Sequence, residues 1–184
     1  MEAFLTSTVT VALAEIGDKT QLLSLLLATR FRKPLPIIAG ILVATLANHA
    51  ASAWLGGWAS QFFQSDAGQW IVGGSFIAVG LWLLVPDKDE EPSTLFDRFG
   101  VFGVTTGLFF LAEIGDKTQI ATVLLGVEYQ ALVLVTAGTT LGMMLANVPV
   151  IYAGQALMDR IPMNAVRKLA AATFVAVGIW SLLS

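Results

Sequence analysis

The sequence predicts an all-α polytopic membrane protein, with six transmembrane helices arranged as two inverted three-helix repeats. Three observations carry that prediction. The 184-residue chain is 56% hydrophobic and only 12% charged, and its mean hydropathy is +0.77. That leaves too few polar residues to cover a soluble domain of this size. Polar breaks divide the chain into six apolar segments long enough to span a bilayer at a tilt. The block LAEIGDKTQ occurs twice, at 13–21 and 111–119, once in each half.

The segments follow in order. The first, 3–28, opens without a basic run and is interrupted by acids, so it reads as a membrane helix that stays rather than a cleaved leader. The second, 35–59, has Pro36 near its start, where a helix tolerates it, and Trp54 and Trp58 near its outer end. The third, 69–85, carries Trp70 outside and Trp82 inside, as interfacial anchors. The fourth, 100–126, holds the second copy of the block. The fifth, 130–156, contains Pro149, which is expected to kink it. The sixth, 165–183, follows Pro162 and carries Trp180 near the outer surface. No alternating pattern of period two appears, which argues against barrel strands. Glycines such as Gly73, Gly74, Gly80, Gly138, Gly142 and Gly178 suit close helix packing.

The duplication extends past the block. FIAVGLWLL at 76–84 matches FVAVGIWSL at 174–182, and LAN at 46–48 matches LAN at 145–147. Every segment of the first half thus has a counterpart in the second. Three spans per half is an odd number, so the second half enters the membrane from the opposite side. The units are 1–85 and 100–184, joined by the acidic connector 86–99. Loop charge gives the orientation. Of the ten Lys and Arg, eight fall in connections 1–2, 3–4 and 5–6. The positive-inside rule then puts those loops in the cytoplasm and both termini outside it. The run Asp87–Glu91 in the connector reads as a solvated stretch, not as a site.

The remaining two basic residues, Lys19 and Lys117, lie inside the repeated blocks with Glu15, Asp18, Glu113 and Asp116. A charge at the bilayer centre costs at least about 2.5–3.5 kcal/mol, so these six groups must face one another or a water-filled cavity. On a continuous helix Glu15, Asp18, Lys19 and Leu22 share a face with Gln21 at its edge, and Glu113, Asp116, Lys117 and Gln119 repeat the pattern. Thr20 and Thr118 then point away, toward their own backbone. A structural salt-bridge network would balance its charges. Four carboxylates and two ammonium groups leave −2, which one divalent cation or two protons would balance. The ligand set is all oxygen: Glu15, Asp18, Glu113 and Asp116, the amides Gln21 and Gln119, and as secondary candidates Asn48 and Asn147. Such a set suits Mn2+, Ca2+ or Mg2+ rather than Cu+ or Zn2+. The four carboxylates double as proton carriers, and Lys19 and Lys117 serve as internal counter-charges. Gly17 and Gly115 leave room for close approach or a local break. His49, with Val148 at its counterpart position, reads as packing or support rather than a ligand, and Met143 and Met144 read as packing. There is no cysteine, hence no disulfide, zinc–thiolate site or thiol nucleophile.

The pattern Glu-x-Gly-Asp-Lys/Arg-Thr/Ser, present as EIGDKT at 15–20 and again at 113–118, resembles that of a family of small cation/proton exchangers. The family includes MneA-type bacterial manganese exporters and Golgi manganese/calcium transporters. The resemblance spans essentially the whole chain. It implies Mn2+ efflux, with Ca2+ as a further cargo and protons as counter-ion, in the inner membrane of a bacterium. It implies no enzymatic activity, no resident cofactor and no nucleic-acid partner; the partners are the metal, protons and lipid. Two other classes compete. A divalent cation channel could present a similar ring of acids. An intramembrane aspartyl protease carries a Gly-x-Gly-Asp signature, but here Glu15 stands two residues before the Gly-Asp pair's glycine, and an adjacent Lys would disturb a shared-proton dyad.

Overall fold

The computed structural model describes residues 1–63, 65–85, 100–154 and 162–183. Among them are eight α-helices and one 3-10 turn. They run α1 (Glu2–Glu15), α2 (Lys19–Phe31), α3 (Pro34–Ala59), the turn Ser60–Phe62, α4 (Asp66–Leu83), α5 (Gly100–Glu113), α6 (Lys117–Tyr129), α7 (Leu132–Ala153) and α8 (Met163–Leu183). No strand occurs among the described residues. The acidic connector 86–99 and the end of the fifth segment lie outside them. Helices Pro34–Phe62, Leu132–Ala153 and Asn164–Leu183 are long and apolar enough to cross a membrane, and Ala67–Leu83 and Gly100–Glu113 are shorter apolar helices. Pro34 occupies the first turn of α3, where its missing N–H costs nothing. α7 runs on through Pro149, which offers no N–H to the Leu145 carbonyl.

The first and fourth segments are not the continuous helices that the face assignment assumed, but take the local break for which Gly17 and Gly115 left room. Each breaks inside the repeated block. α1 stops at Glu15, Ile16 is extended (φ −68°, ψ 115°), Gly17 takes φ 84°, and Asp18 at φ −85°, ψ 166° starts α2. The second copy does the same, with Gly115 at φ 78° and Asp116 at φ −79°, ψ 163°. Glycine permits the left-handed step, and aspartate is a favoured residue for starting the next helix. The freed backbone groups find partners. The Asp18 N–H bonds the Glu15 carbonyl at 3.1 Å, and the Asp116 N–H bonds that of Glu113 at 3.2 Å. Further along, Gln21 Oε1 accepts from the Gly17 N–H at 2.8 Å and Gln119 Oε1 from the Gly115 N–H at 2.7 Å. Each glutamine reaches back one turn to close its break.

A Cβ on Gly115 would meet nothing within 4 Å. A substitution there is therefore penalised by its positive φ alone, by about 1–2 kcal/mol for alanine. Gly115→Ala should lower the thermal unfolding midpoint, followed by tryptophan fluorescence, by several degrees. Gly115→Asn, which tolerates the left-handed region, should recover much of that loss. Equal losses would show that something other than φ limits the site.

Helices pack at glycine contacts that recur between the halves. On α7, a Cβ at Gly138 would lie 2.5 Å from the Phe4 carbonyl of α1; on α3, one at Gly40 would lie 3.0 Å from the Phe102 carbonyl of α5. Gly40 and Gly138, like Phe4 and Phe102, are repeat counterparts. A Cβ at Gly142 would approach the Thr8 carbonyl at 2.7 Å, so α1 and α7 run parallel. α4 and α8 run antiparallel: a Cβ at Gly73 would lie 2.9 Å from the Gly178 carbonyl, and one at Gly80 lies 3.0 Å from that of Ala171. The small residues let backbones touch where a larger side chain would hold them apart. One core joins Phe76 and Phe174 of the α4–α8 pair to α6; the other joins Val11, Ile41, Phe109 and Met143 of the remaining helices. The outer faces stay apolar, with Leu5, Val43, Leu46, Ile71, Leu111, Val133, Leu145, Leu169 and Ile179 among the exposed side chains. A surface of that character suits lipid.

A candidate metal centre between two broken helices

Because both breaks fall at the same block, the last residues of α1 and α5 and the first residues of α2 and α6 meet. Helix C-termini present unpaired carbonyls and partial negative charge, and N-termini the reverse. Both are gathered in the interior, with acidic side chains at their seams. Glu15, Glu113 and Asp116 each offer a carboxylate oxygen within 4.8 Å of the others, and all three are buried. Lys19 crosses from the first half to the second, its Nζ 3.4 Å from Asp116 Oδ1. Three carboxylates and one ammonium group carry −2 when ionised.

The two glutamates are counterparts in sequence but have different surroundings. Glu15 is held by two hydroxyls: Thr20 Oγ1 donates to its Oε2 at 2.6 Å, and Thr118 Oγ1, from the other half, donates to its Oε1. Among the described residues no donor reaches either oxygen of Glu113; the His49 ring stands beside it, Nε2 to Oε2 at 3.9 Å. The expectation that Thr20 and Thr118 turn away from the acids is thus corrected. It assumed a continuous helix, and the break re-aims everything after Gly17 and Gly115. Leu22, expected on the acidic face, is exposed on the outside for the same reason.

The other predicted residues take several positions. Asp18 lines a cleft beside the cluster, together with Leu13, Ala14, Ile16, Gly17, Leu83, Val85, Lys117 and Ala170. Lys117 donates from Nζ to the Val85 carbonyl at 2.8 Å and lies 5.6 Å from the Trp82 ring centroid. Lys19 thus reaches Asp116 of the other half, and Lys117 reaches the Val85 carbonyl. Gln21 is spent on structure, since its Nε2 also donates to the Ala146 carbonyl at 2.8 Å. Gln119 is turned to its own Gly115. Asn48 donates to the Phe110 carbonyl at 3.2 Å. Asn147 accepts from Ser24 at 2.7 Å and donates to the Met143 carbonyl at 3.1 Å. Met143 lies in the core, as its packing assignment expected.

The sequence reading missed Thr20, Thr118 and the place of His49. A signal for the threonines was present: glycine followed by aspartate is a helix stop followed by a helix start, and that break returns both hydroxyls to the acids. No comparable signal marks His49, whose approach to Glu113 is a contact between distant segments.

Comparison with known proteins bears on these observations. The profile of the family described as "Divalent cation/proton antiporter GDT1" matches residues 3–91 and 101–184, one segment in each half. A Vibrio cholerae protein named "Putative manganese exporter" is 52% identical over 176 residues, covering 95% of this chain and 88% of that protein. No solved structure matches. The chain belongs to the GDT1 family of divalent cation/proton antiporters.

Proposed function

We propose that this protein exports divalent cations, Mn2+ first and Ca2+ second, in exchange for protons. The observation that carries the reading is the meeting of Glu15, Glu113 and Asp116 from both halves, buried, with the Lys19 ammonium beside them. That set is two charges short of neutral, and its oxygen atoms suit a hard or borderline cation. Protons and metal compete for the same oxygens, so binding one releases the other. Asp18 joins the site from the adjacent cleft. The manganese assignment draws on the Vibrio cholerae relative, because oxygen ligands alone do not choose among Mn2+, Ca2+ and Mg2+.

In this reading α1 with α2, and α5 with α6, each form one interrupted span, giving six spans in two inverted repeats, 1–85 and 100–184, in the bacterial inner membrane with both termini outside. The parallel α1–α7 contact, the parallel α3–α5 contact (Gly40 against Phe102, Asn48 against Phe110) and the antiparallel α4–α8 contact support it, as does the use of broken helices at transporter sites. The α4–α8 pair rests on α6 and α1. At the end away from the basic loops it is tied down, with Ser181 Oγ donating to Glu128 Oε2 at 2.6 Å and Gln69 Nε2 to the Ser181 carbonyl at 2.9 Å. The cleft with Asp18 and Lys117 lies toward the opposite ends of α4 and α8. In this reading the outer ends of α4 and α8 are tied, the cleft beside the cluster lies toward the cytoplasm, and swinging the α4–α8 pair would open the site to one side or the other. Moving two positive charges outward against 100 mV costs about 4.6 kcal/mol, which the return of two protons cancels.

The test is metal flux in proteoliposomes under an imposed pH gradient, scanned over Mn2+, Ca2+, Mg2+, Zn2+ and Fe2+. We expect saturable flux toward the acidic side, fastest for Mn2+. Large, non-saturating currents would indicate a channel instead.

A further inference from the structure

His49 is the single histidine of the chain. It sits on α3, fully buried, and neither ring nitrogen has a hydrogen-bond partner among the described residues. Leaving a buried polar group unmet costs about 1–3 kcal/mol. At the 98-residue offset that relates Gly40 to Gly138, the second half has Asn147, whose amide is hydrogen-bonded to Ser24 and the Met143 carbonyl, so the repeat does not demand a histidine here. Its Nε2 faces Glu113 Oε2 at 3.9 Å, beyond the 2.7–3.2 Å of a hydrogen bond. Two ligand atoms bound to one ion at about 2.1 Å lie roughly 3.0 Å apart at a right angle and roughly 4.2 Å apart when opposite. The observed separation falls between those limits. It fits two ligands around a common cation better than two groups bonded to each other.

We propose that His49 Nε2 is a nitrogen ligand of the transported ion, completing the set of Glu15, Glu113 and Asp116, and that it sets the preference for Mn2+ over Ca2+. This rests on the cation-site reading above and adds the specificity that oxygen ligands lack. Mn2+ shares oxygen ligands with Ca2+ and Mg2+ but stands in the first-row series, at its weak end, that also binds nitrogen, whereas Ca2+ takes oxygen ligands; one imidazole therefore tips an oxygen site toward Mn2+. The division between the glutamates follows. Glu15 is oriented by two threonine hydroxyls and has no imidazole at its counterpart position. Glu113 has no hydroxyl donor and is paired with the ring. Glu15 supplies a fixed oxygen site, and His49 reaches across to Glu113 of the other half as the discriminating ligand.

The histidine's uniqueness makes the test direct. Protein purified without a histidine tag and loaded with one equivalent of Mn2+ is studied by electron spin-echo modulation, which detects nitrogen bound to the metal. Wild type should show imidazole nitrogen coupling. His49→Gln and His49→Val should still bind Mn2+ but lose the coupling. In competition, their preference for Mn2+ over Ca2+ should fall about tenfold. Bound Mn2+ without nitrogen coupling in wild type, or an unchanged preference in both variants, overturns the role of His49 and leaves the carboxylate site standing. Wild type that binds no Mn2+ overturns both.

Discussion

Glu113→Gln and Glu15→Gln each reduce Mn2+ transport by more than about 100-fold while the protein still inserts and folds. Each change takes one charge from a three-carboxylate cluster and halves its −2 excess. In a buried site, losing a charged ligand of a divalent ion costs several kcal/mol. The side chains remain nearly identical in shape. Without metal, the variants should be as thermally stable as wild type or more so, because a buried charge has been removed. Wild type alone should then gain stability on adding Mn2+, since a ligand that binds only the folded state raises its stability. Flux assays and thermal unfolding with and without Mn2+ check both parts. Near-normal transport in both variants would remove these residues from the site.

The second large effect concerns Lys19. Its ammonium group, 3.4 Å from Asp116, offsets one of three clustered charges. Lys19→Ala should raise the cluster's affinity for Mn2+ and slow its release. The Mn2+ KM is expected to fall and the turnover to drop roughly tenfold, because a neighbouring charge in a partly screened site is worth a kcal/mol or more. Lys19→Arg keeps the charge but is larger and planar, and should retain partial turnover. Lys117→Ala should differ, because Lys117 is bound to the Val85 carbonyl at the cleft; its loss affects access more than affinity. Identical kinetic changes in the two alanine variants would contradict this division.

Much of this arrangement could be read from the sequence. The duplicated block identified the acids, and the outer faces of the helices are as apolar as the composition implied. The helix-face reading failed at Gly17 and Gly115. It carried a rotation of 100° per residue through a backbone that turns left-handed, and so it misplaced Thr20, Thr118 and Leu22. The roles of Gln21 and Gln119 follow from the same break, since a freed glycine N–H needs an acceptor. The asymmetry was invisible for a different reason. Two identical nine-residue blocks hold no information about which glutamate is held by threonine hydroxyls and which stands beside the histidine; that depends on the conformation of the whole bundle. His49 lay beyond reach because its meeting with Glu113 depends on how α3 packs on α5.

The central claim is that one set of carboxylates carries both ions. The most direct measurement uses proteoliposomes containing a pH-sensitive dye, with Mn2+ added on one side and metal and proton movement recorded together. Wild type should show proton flux opposite to the metal, rising and saturating with it, and Asp116→Asn should lose both. Mn2+ flux with no proton movement at any imposed pH gradient would contradict the account.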